Sequence, residues 1–433
     1  MVDRSCNQNE INHSSLGKTL YYKETSRIPG PSSFQLMAKP VGPSCNLDCT
    51  YCYYLEKNKL FPGTDKYRMS DDLLEQYIEQ YIGSVNTPVV TFVWQGGEPT
   101  LAGIDFYKRA VNLQKRHAGN KKIENSFQTN GTRLNEEWCG FFHENNFLVG
   151  ISVDGPGQLH DLYRKTASGR STFDQVKNSI GLLLKYHVEF NTLTCVTSFN
   201  AEKPLEIYHF LKDEGSRFIQ FQPVVERRKT GGTKGELSLV SNEFEGDAVV
   251  TDWSVNAVQY GKFLIDVFDE WIRHDVGKIF ILNFEAALNN FLGLPPGICV
   301  FDDSCGEDPI LEFNGDVYPC DHFVYPEYLL GNIYKKSLPE VLESPKLFEF
   351  GAGKHTGLPG YCNRCKVKYA CNGECPKHRI SKTGDGEPGL NWLCEGYKMF
   401  FLHAERFLQR MAKELEAERP PSNVMDWARK VKK

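Results

Sequence analysis

The sequence contains no long run of apolar residues, so a membrane-spanning helix is not expected. Its first thirty residues mix acidic, basic and amide side chains and lack the apolar core of a secretory signal peptide. It also lacks an excess of charge of one sign, since 50 basic residues stand against 55 acidic ones for a formal net charge of -5. No general attraction to nucleic acid or to an anionic membrane is therefore expected.

Fourteen cysteines are the most informative feature that is present. Because no export signal is seen, they predict a cytoplasmic protein in a reducing compartment, where grouped thiols bind metals more often than they form disulfides. The 433 residues exceed what one hydrophobic core usually organises, so a large domain and a smaller one are expected. With 40% hydrophobic and 24% charged residues, the composition is that of an ordinary globular protein.

Apolar stretches with strand character alternate with segments of helical periodicity. They predict strands at 34–41, 89–94, 123–128, 147–153, 190–198 and 217–225. They predict helices at 69–82, capped by Ser70, and at 135–146, 172–187, 203–214, 255–274 and 391–418. This alternation favours parallel strands with right-handed crossovers, hence an α/β open or partial barrel with its site at the strands' C-terminal ends. The polar, Gly-rich segment 226–252 indicates a surface loop.

Three cysteines follow the first predicted strand in the segment CNLDCTYC: Cys45, Cys49 and Cys52. This CxxxCxxC spacing allows one loop to wrap three thiolates around a metal centre. Because iron-sulfur clusters normally take four thiolates, three ligands would leave one iron open to another molecule. Zinc is the alternative, but structural zinc prefers four protein ligands and catalytic zinc usually includes a histidine, which this loop lacks.

The loop resembles the radical SAM superfamily, whose hallmark is CxxxCxxC with an aromatic residue before the last cysteine, here Tyr51. The resemblance implies a 4Fe-4S cluster on the three cysteines whose open iron binds S-adenosylmethionine (SAM). One electron from the cluster would then cleave SAM to a 5'-deoxyadenosyl radical, chemistry that the cofactor carries and the protein orients.

Three further segments at predicted strand ends look like SAM-binding motifs of this superfamily: Gln95-Gly96-Gly97-Glu98-Pro99, Gln128-Thr129-Asn130-Gly131 and Ser152-Val153-Asp154-Gly155. In the first, glycines would let backbone amides approach the ligand, and Glu98 would offer its carboxylate to an ammonium group. The resemblance also implies polar SAM contacts from Ser152 and Arg164, and packing of Tyr54 on the cofactor. Taken singly, each of these is more often a turn residue or a surface charge.

Eight more cysteines lie in a second region of short turns: Cys299, Cys305, Cys320, Cys362, Cys365, Cys371, Cys375 and Cys394. Their number also permits a pair of zinc sites. The pattern resembles the SPASM extension of radical SAM enzymes, which implies two auxiliary 4Fe-4S clusters and three clusters in total. By resemblance, the first auxiliary cluster takes Cys299, Cys305, Cys320 and Cys375. The second takes Cys362, Cys365, Cys371 and Cys394. Clusters fully ligated by protein suit electron transfer.

The segment Tyr318-Pro319-Cys320-Asp321-His322-Phe323 resembles the anaerobic sulfatase-maturating enzymes, which place an aspartate directly after this cysteine. That family oxidises a cysteine or serine of a sulfatase to Cα-formylglycine. The resemblance implies that Asp321 takes the thiol or hydroxyl proton when the Cβ hydrogen is removed. A solvated or capping aspartate beside a cluster ligand is the alternative role. Cys6, Cys139 and Cys195 have no partners at ligand spacing and are interpreted as structural.

The sequence therefore predicts a partial six-unit radical SAM barrel followed by a SPASM domain with two auxiliary clusters. The expected partners are a sulfatase polypeptide and a low-potential electron donor such as flavodoxin or ferredoxin, with neither nucleic acid nor membrane. A maturase that crosslinks a small ribosomal peptide and a non-catalytic electron-transfer protein remain alternatives. The expected divisions are an N-terminal extension, the barrel, a helical connection, the SPASM domain and a C-terminal helix with its tail, at 1–33, 34–254, 255–298, 299–400 and 401–433.

Overall fold

A computed structural model of the protein describes residues 34–62, 64, 67–231, 238–241 and 243–431. The predicted N-terminal extension and Cys6 lie outside these ranges. Across the described ranges, no helix combines the length and apolarity needed to cross a membrane.

The strands and helices are numbered in chain order. The strands are β1 Met37–Lys39, β2 Val89–Trp94, β3 Lys122–Thr129, β4 Phe147–Ser152, β5 Phe190–Val196, β6 Phe218–Pro223, β7 Arg227–Lys229, β8 Leu239–Val240, β9 Ala248–Val250, β10 Phe280–Ile281, β11 Ile310–Glu312, β12 Asp316–Tyr318, β13 Gly331–Asn332, β14 Ser381–Lys382 and β15 Pro388–Leu390. The α-helices are α1 Asp71–Ser84, α2 Ile104–His117, α3 Glu136–Glu144, α4 Gln158–Asp161, α5 Phe173–Lys185, α6 Pro204–Asp213, α7 Ala257–His274, α8 Leu282–Phe291, α9 Leu338–Leu342, α10 Pro345–Thr356, α11 Gly360–Asn363, α12 Lys368–Cys371, α13 Cys394–Glu416 and α14 Val424–Ala428.

One ten-stranded sheet connects the two cysteine regions, in the order β10-β6-β5-β4-β3-β2-β1-β11-β12-β13. Strands β1 to β6 are parallel neighbours in chain order, and helices fill the crossovers between them. This arrangement confirms the predicted partial α/β barrel. On the other side of β1, β11 pairs in parallel, and β12 and β13 continue antiparallel. The second cysteine region therefore begins as an extension of the barrel sheet.

Local sequence signals explain where several elements begin. Ser70 caps α1, as predicted, because its Oγ accepts a hydrogen bond from the backbone N–H of Leu73 at 3.1 Å. The apolar face of α1 is buried against the sheet, including Tyr77 and Tyr81. A turn at Asn314-Gly315, a pair typical of tight turns, joins β11 to β12, and Gly315 adopts a φ of 88°, which glycine tolerates best.

Two parts of the fold differ from the prediction. Residues 226–252, expected as a loop, contain a small antiparallel sheet of order β8-β7-β9. Strands of two or three residues are too short to show a readable alternation, so only the backbone pairing reveals them. Helix α2 was not predicted either. It is rich in charged residues, and it buries only a narrow face that includes Phe106 and Tyr107.

Helices α7 and α13 cross at a pair of glycines. A Cβ atom added at Gly261 would lie 2.6 Å from the Cα of Gly396, and one added at Gly396 would lie 2.0 Å from the carbonyl oxygen of Ala257. Only glycine allows the helices to approach this closely. The crossing fixes the first turn of α13, which begins at Cys394.

Candidate active site

The loop with Cys45, Cys49 and Cys52 lies at the C-terminal end of β1, held by backbone hydrogen bonds to the segment after β4. The amide of Asp48 donates to the carbonyl of Lys165 at 2.8 Å. Burial, with smaller contributions from the charges of Glu98 and Cys52, raises the pKa of the Cys45 thiol to about 12.

Neighbouring buried thiols ionise readily only beside positive charge, which iron supplies on binding. All cysteines in the described part of the chain are free thiols. The three side chains thus suit a shared metal centre in chemistry and in spacing.

The glycines of the motif after β2 serve a different purpose from the predicted one. A Cβ atom at Gly97 would lie 2.0 Å from the carbonyl oxygen of Ser44, next to Cys45. The amides of Gly97 and Glu98 donate to the carbonyls of Gly42 and Ser44, both at 2.8 Å. The expectation that these amides face a ligand is corrected, because they bind the loop that carries the first cysteine. Gly96 packs on the same loop, and the Gln95 amide donates to the carbonyl of Ala38 at 3.0 Å.

The carboxylate of Glu98 is fully buried and accepts hydrogen bonds on both oxygens. Oε1 accepts from the amide and hydroxyl of Thr100, at 3.0 and 2.7 Å, and from the hydroxyl of Thr129 at 2.8 Å. Oε2 accepts from the amide of Asn130 at 2.8 Å. Burial raises the pKa of Glu98, and these hydrogen bonds oppose the shift. The side chain therefore ties the ends of β2 and β3 together, a structural task that the sequence did not indicate.

The other predicted SAM contacts surround the same strand ends. Ser152 is buried at the end of β4, where its Oγ accepts from Gln128 Nε2 at 3.1 Å. Arg164 is buried, and its Nε donates to Asp154 Oδ2 at 2.9 Å. Its positive charge opposes part of the rise in pKa that burial causes at the Cys49 thiol. Tyr54 is buried near the start of the neighbouring 3-10 helix, and its hydroxyl donates to the buried carboxylate of Glu312.

The eight cysteines of the second region fall into two sets of neighbours. After burial, the main causes that raise the Cys320 thiol pKa include the charges of Cys375 and Cys299, and Cys375 is affected in turn by Cys305 and Cys299. In the other set, the remaining four thiols raise one another's pKa in the same way: Cys362, Cys365, Cys371 and Cys394. The two sets have the same members as the two ligand groups expected from the resemblance, whose role as cluster ligands stays a prediction.

Asp321 lies directly after Cys320, and its Oδ2 accepts a hydrogen bond from the Tyr53 hydroxyl at 2.5 Å. The Lys39 ammonium is 3.8 Å from the same oxygen and 3.7 Å from the centre of the Tyr54 ring. Burial alone would raise the pKa of Asp321, but the charge of protonated His322, the charge of Lys39 and the Tyr53 hydrogen bond hold it well below its ordinary value. Burial also lowers the pKa of His322 to about 3, which makes Lys39 the cation that faces Asp321 at neutral pH.

Comparison with known proteins places this geometry in a family. Residues 40–211 match the model of the radical SAM superfamily, and residues 305–366 match that of the SPASM iron-sulfur cluster-binding domain. A serine-type anaerobic sulfatase-maturating enzyme of Bacteroides thetaiotaomicron is 47% identical over 93% of this chain and 97% of its own length. The chain belongs to the anaerobic sulfatase-maturating enzymes. Their cofactors are therefore those of this chain: SAM and 4Fe-4S clusters, of which three is the usual number in this family.

Two more relatives define its position among the sulfatase-maturating enzymes. A cysteine-type enzyme of Clostridium perfringens is 35% identical over 85% of this chain and 95% of its own length. The solved structure of anSMEcpe with bound AdoMet and the Cp18Cys peptide has a TM-score of 0.76 and 34% identity, over 88% of this chain and 99% of that one. These likenesses confirm the predicted family and fold class.

The sulfatase-maturating site contains residues that the sequence analysis did not select. Tyr53 and Lys39 contact Asp321, and Asp154 binds Arg164. Asp154 lay within a motif that was recognised, so its neighbours could have suggested it. Tyr53 and Lys39 carry no local signal, because their partner Asp321 is more than 260 residues away in the sequence.

One feature of this site also resembles a mononuclear metal site. Ligand atoms of Cys320, Asp321 and His322 lie within 4.8 Å of one another. However, the thiol of Cys320 is also a neighbour of Cys299 and Cys375, as a cluster ligand in this family would be. The grouping follows from three consecutive residues in a tight 3-10 turn.

Proposed function

We propose that this chain oxidises a cysteine or serine side chain of a sulfatase to Cα-formylglycine and that Asp321 is the catalytic base. The names of its relatives support the reaction, since they are serine-type and cysteine-type sulfatase-maturating enzymes. The observation that carries the role of Asp321 is its partly buried carboxylate of low pKa beside Cys320, held by Tyr53 and Lys39.

A carboxylate of low pKa is sufficient for this step. Removal of a hydrogen atom from Cβ makes the remaining thiol or hydroxyl proton much more acidic, so a weak base can accept it. Tyr53 and Lys39 both contact Oδ2 and fix the orientation of the carboxylate. Within the described part of the chain, the one hydrogen bond to Oδ1 comes from the Cys320 thiol, at 3.6 Å. We infer that Oδ1 is the atom that receives the substrate proton.

The cofactor ligands are proposed residue by residue. Cys45, Cys49 and Cys52 would hold the cluster that, with SAM, supplies the radical that removes the hydrogen atom. The two auxiliary sets described above would hold the other two clusters, one of which would accept the electron that remains on the substrate after the hydrogen atom and the proton are removed. Gln95, Gly96, Gly97 and Glu98 would support the SAM site through the cysteine loop, and Ser152, Arg164 and Tyr54 would complete its surroundings. We also propose the domain divisions given under Sequence analysis.

Two broader proposals follow. A low-potential carrier such as flavodoxin or ferredoxin would supply the electron that starts the reaction. A reducing compartment such as the cytoplasm would suit the chain, because the described cysteines are free thiols and a cluster needs them reduced.

The test is an anaerobic reaction of the reconstituted, reduced protein with SAM and a peptide carrying a Cys-x-Pro-x-Arg sulfatase motif or its serine counterpart, followed by mass spectrometry. We expect peptidyl aldehyde together with 5'-deoxyadenosine. Asp321→Asn should still form 5'-deoxyadenosine but lose at least about 100-fold in aldehyde, the range expected for loss of a general base. Asp105→Asn, at an exposed position of α2, is the matched control and should act as wild type.

Three results would contradict the proposal. Full aldehyde formation by Asp321→Asn would show that Asp321 is not the catalytic base. A crosslinked peptide in place of the aldehyde would contradict the reaction. Absence of 5'-deoxyadenosine in the wild-type protein would contradict the radical SAM chemistry itself.

A further inference from the structure

The two auxiliary cysteine sets reach the protein surface at places of opposite charge. Near Cys299, which is exposed, and Cys305 stands an acidic surface of four carboxylates: Asp302, Asp303, Glu307 and Asp308. The last three are exposed. This group is named the acidic face.

Around the partly exposed Cys362 and Cys365 stand four basic side chains, named here the basic face: Arg364, Lys366, Lys368 and Lys398. Arg364 and Lys366 are exposed, and among the described residues none of the four forms a salt bridge. Lys398 donates to the Tyr361 hydroxyl at 3.3 Å, and its charge opposes part of the rise in pKa that burial causes at the Cys394 thiol. Three acidic side chains also stand nearby: Asp385, which is exposed and whose pKa is lowered by a side-chain hydrogen bond and in smaller part by the charge of Arg364; Glu387, which accepts from the Gly360 amide; and Glu395.

Exposed aromatic rings flank the basic face. Tyr361 is 38% exposed and Tyr369 is 39% exposed, on either side of Cys362 and Cys365 in the sequence. Aromatic rings and arginine are enriched where proteins bind partners, whereas isolated solvent-facing charges are not. The chain as a whole carries a net charge of -5, so the basic face is opposite in charge to the protein as a whole.

The geometry points to the basic face as the docking surface for a small acidic electron-carrier protein, which exchanges single electrons with the cluster on Cys362, Cys365, Cys371 and Cys394. An acidic carrier is attracted to the basic face and repelled by the acidic face, so opposite charges select one of two accessible thiol sets. This inference rests on the proposed function, because only an enzyme that uses an auxiliary cluster for electron transfer needs such a partner.

The electron step involves no bond making. One electron moves in each exchange, so the cluster that the second set holds is oxidised by one electron when the carrier is reduced by one, or the reverse. The distance for electron transfer between the two auxiliary clusters is short. Cys371 of the second set and Cys375 of the first are four residues apart, at most about 14 Å along the chain.

The test measures the affinity of the reconstituted full-length protein for oxidised flavodoxin, an acidic carrier, by isothermal titration calorimetry under anaerobic conditions. At about 50 mM salt, we expect Arg364→Glu/Lys366→Glu to weaken binding at least tenfold. At about 0.5 M salt, the difference from wild type should shrink, because salt screens contacts between exposed charges.

Lys335→Glu/Lys336→Glu is the matched control. It changes the net charge equally, at exposed positions beside Tyr334, whose hydroxyl lies 3.1 Å from that of Ser70 at the start of α1. It should alter the flavodoxin affinity by less than about twofold. Lys366→Glu alone is a milder variant if the double variant loses iron.

The outcomes separate this inference from the proposed function. Dithionite replaces the carrier, so dithionite-driven aldehyde formation tests the function alone and should be equal in wild type and both double variants. Weaker flavodoxin binding in the basic-face variant only would support the docking surface. Equal affinities in all three proteins, or equal weakening in both variants, would overturn it. Weaker binding of the sulfatase peptide or loss of a homodimer would assign the face to another partner and also overturn it.

Discussion

Gly97 provides a sharp test of how the protein holds its first cysteine loop. In Gly97→Ala, the new Cβ would lie 2.0 Å from the carbonyl oxygen of Ser44, about 1 Å closer than such atoms tolerate. One of the two segments must move by about that distance, which would stretch the 2.8 Å hydrogen bonds from Gly97 and Glu98 beyond bonding range. Two lost hydrogen bonds cost about 1–3 kcal/mol, and the strain costs about 1–3 kcal/mol more.

The expected consequence of Gly97→Ala is selective loss of the cluster on Cys45, Cys49 and Cys52. Because the two auxiliary sets lie elsewhere, the variant should lose about one third of its iron and its SAM cleavage, but keep the rest. Iron quantification and electron paramagnetic resonance of the reduced protein, with and without SAM, measure both. Urea unfolding under anaerobic conditions measures the cost in stability.

Gly83→Ala is the control for a glycine-to-alanine change. Gly83 is exposed in α1, and a Cβ there would meet no atom within 4 Å. It should keep all its iron and gain about 0.5–1 kcal/mol from helix propensity. If Gly97→Ala also keeps full iron and wild-type stability, the contact with Ser44 does not hold the loop, and the reasoning is refuted.

Three further predictions concern stability. Gly396→Ala should cost about 2–5 kcal/mol in urea unfolding, because its Cβ would lie 2.0 Å from the Ala257 carbonyl oxygen; a cost below about 1 kcal/mol would contradict the close crossing of α7 and α13. Burial lowers the pKa of His160 to about 4, below the 6.5 of the unfolded chain, so the unfolded state binds the proton first and about 3 kcal/mol of stability is lost as the pH falls from 6.5 to 4. His160→Asn, whose side-chain oxygen can accept from the Asp154 amide as Nδ1 does at 3.3 Å, should flatten that dependence of the unfolding free energy, and an unchanged slope would speak against it. Ser70→Ala should cost about 1 kcal/mol through loss of the α1 cap, with no change in iron content.

The barrel was predictable because its signals are local. The strand predicted at 89–94 is Val89–Trp94 in the structure, since its run of apolar residues is bounded by polar turns. The cap at Ser70 and the turn at Gly315 were likewise readable from a few neighbouring residues. The small sheet of β7, β8 and β9 was not, because its pairing is determined by the backbone and by contacts far along the chain. Its Ser238 and Leu239 amides donate to the carboxylate of Glu56, at 2.7 and 3.0 Å.

The candidate site likewise combines features that the sequence predicts with features that only the structure reveals. Cysteine spacing within one loop is a local pattern, so the three predicted ligands after β1 could be selected without a structure. The purpose of the glycines could not, because the sequence does not reveal that Ser44 lies opposite Gly97. Nor could the sequence indicate that the carboxylate of Glu98 would be satisfied by Thr100, Thr129 and Asn130 rather than left open.

The environment of Asp321 follows from the way the sheet is extended. β1 pairs with β2 on one side and with β11 on the other, and Lys39 at its end is the register partner of Glu312. The chain then turns through β12 to Cys320 and Asp321, which brings the aspartate back to the barrel mouth beside Lys39. Tyr53 arrives from the cysteine loop on the same side. A shift of this register by one residue would turn Lys39 to the other face and leave Asp321 without its cation. The sheet that joins the two cysteine regions therefore also determines the charge and position of the proposed base.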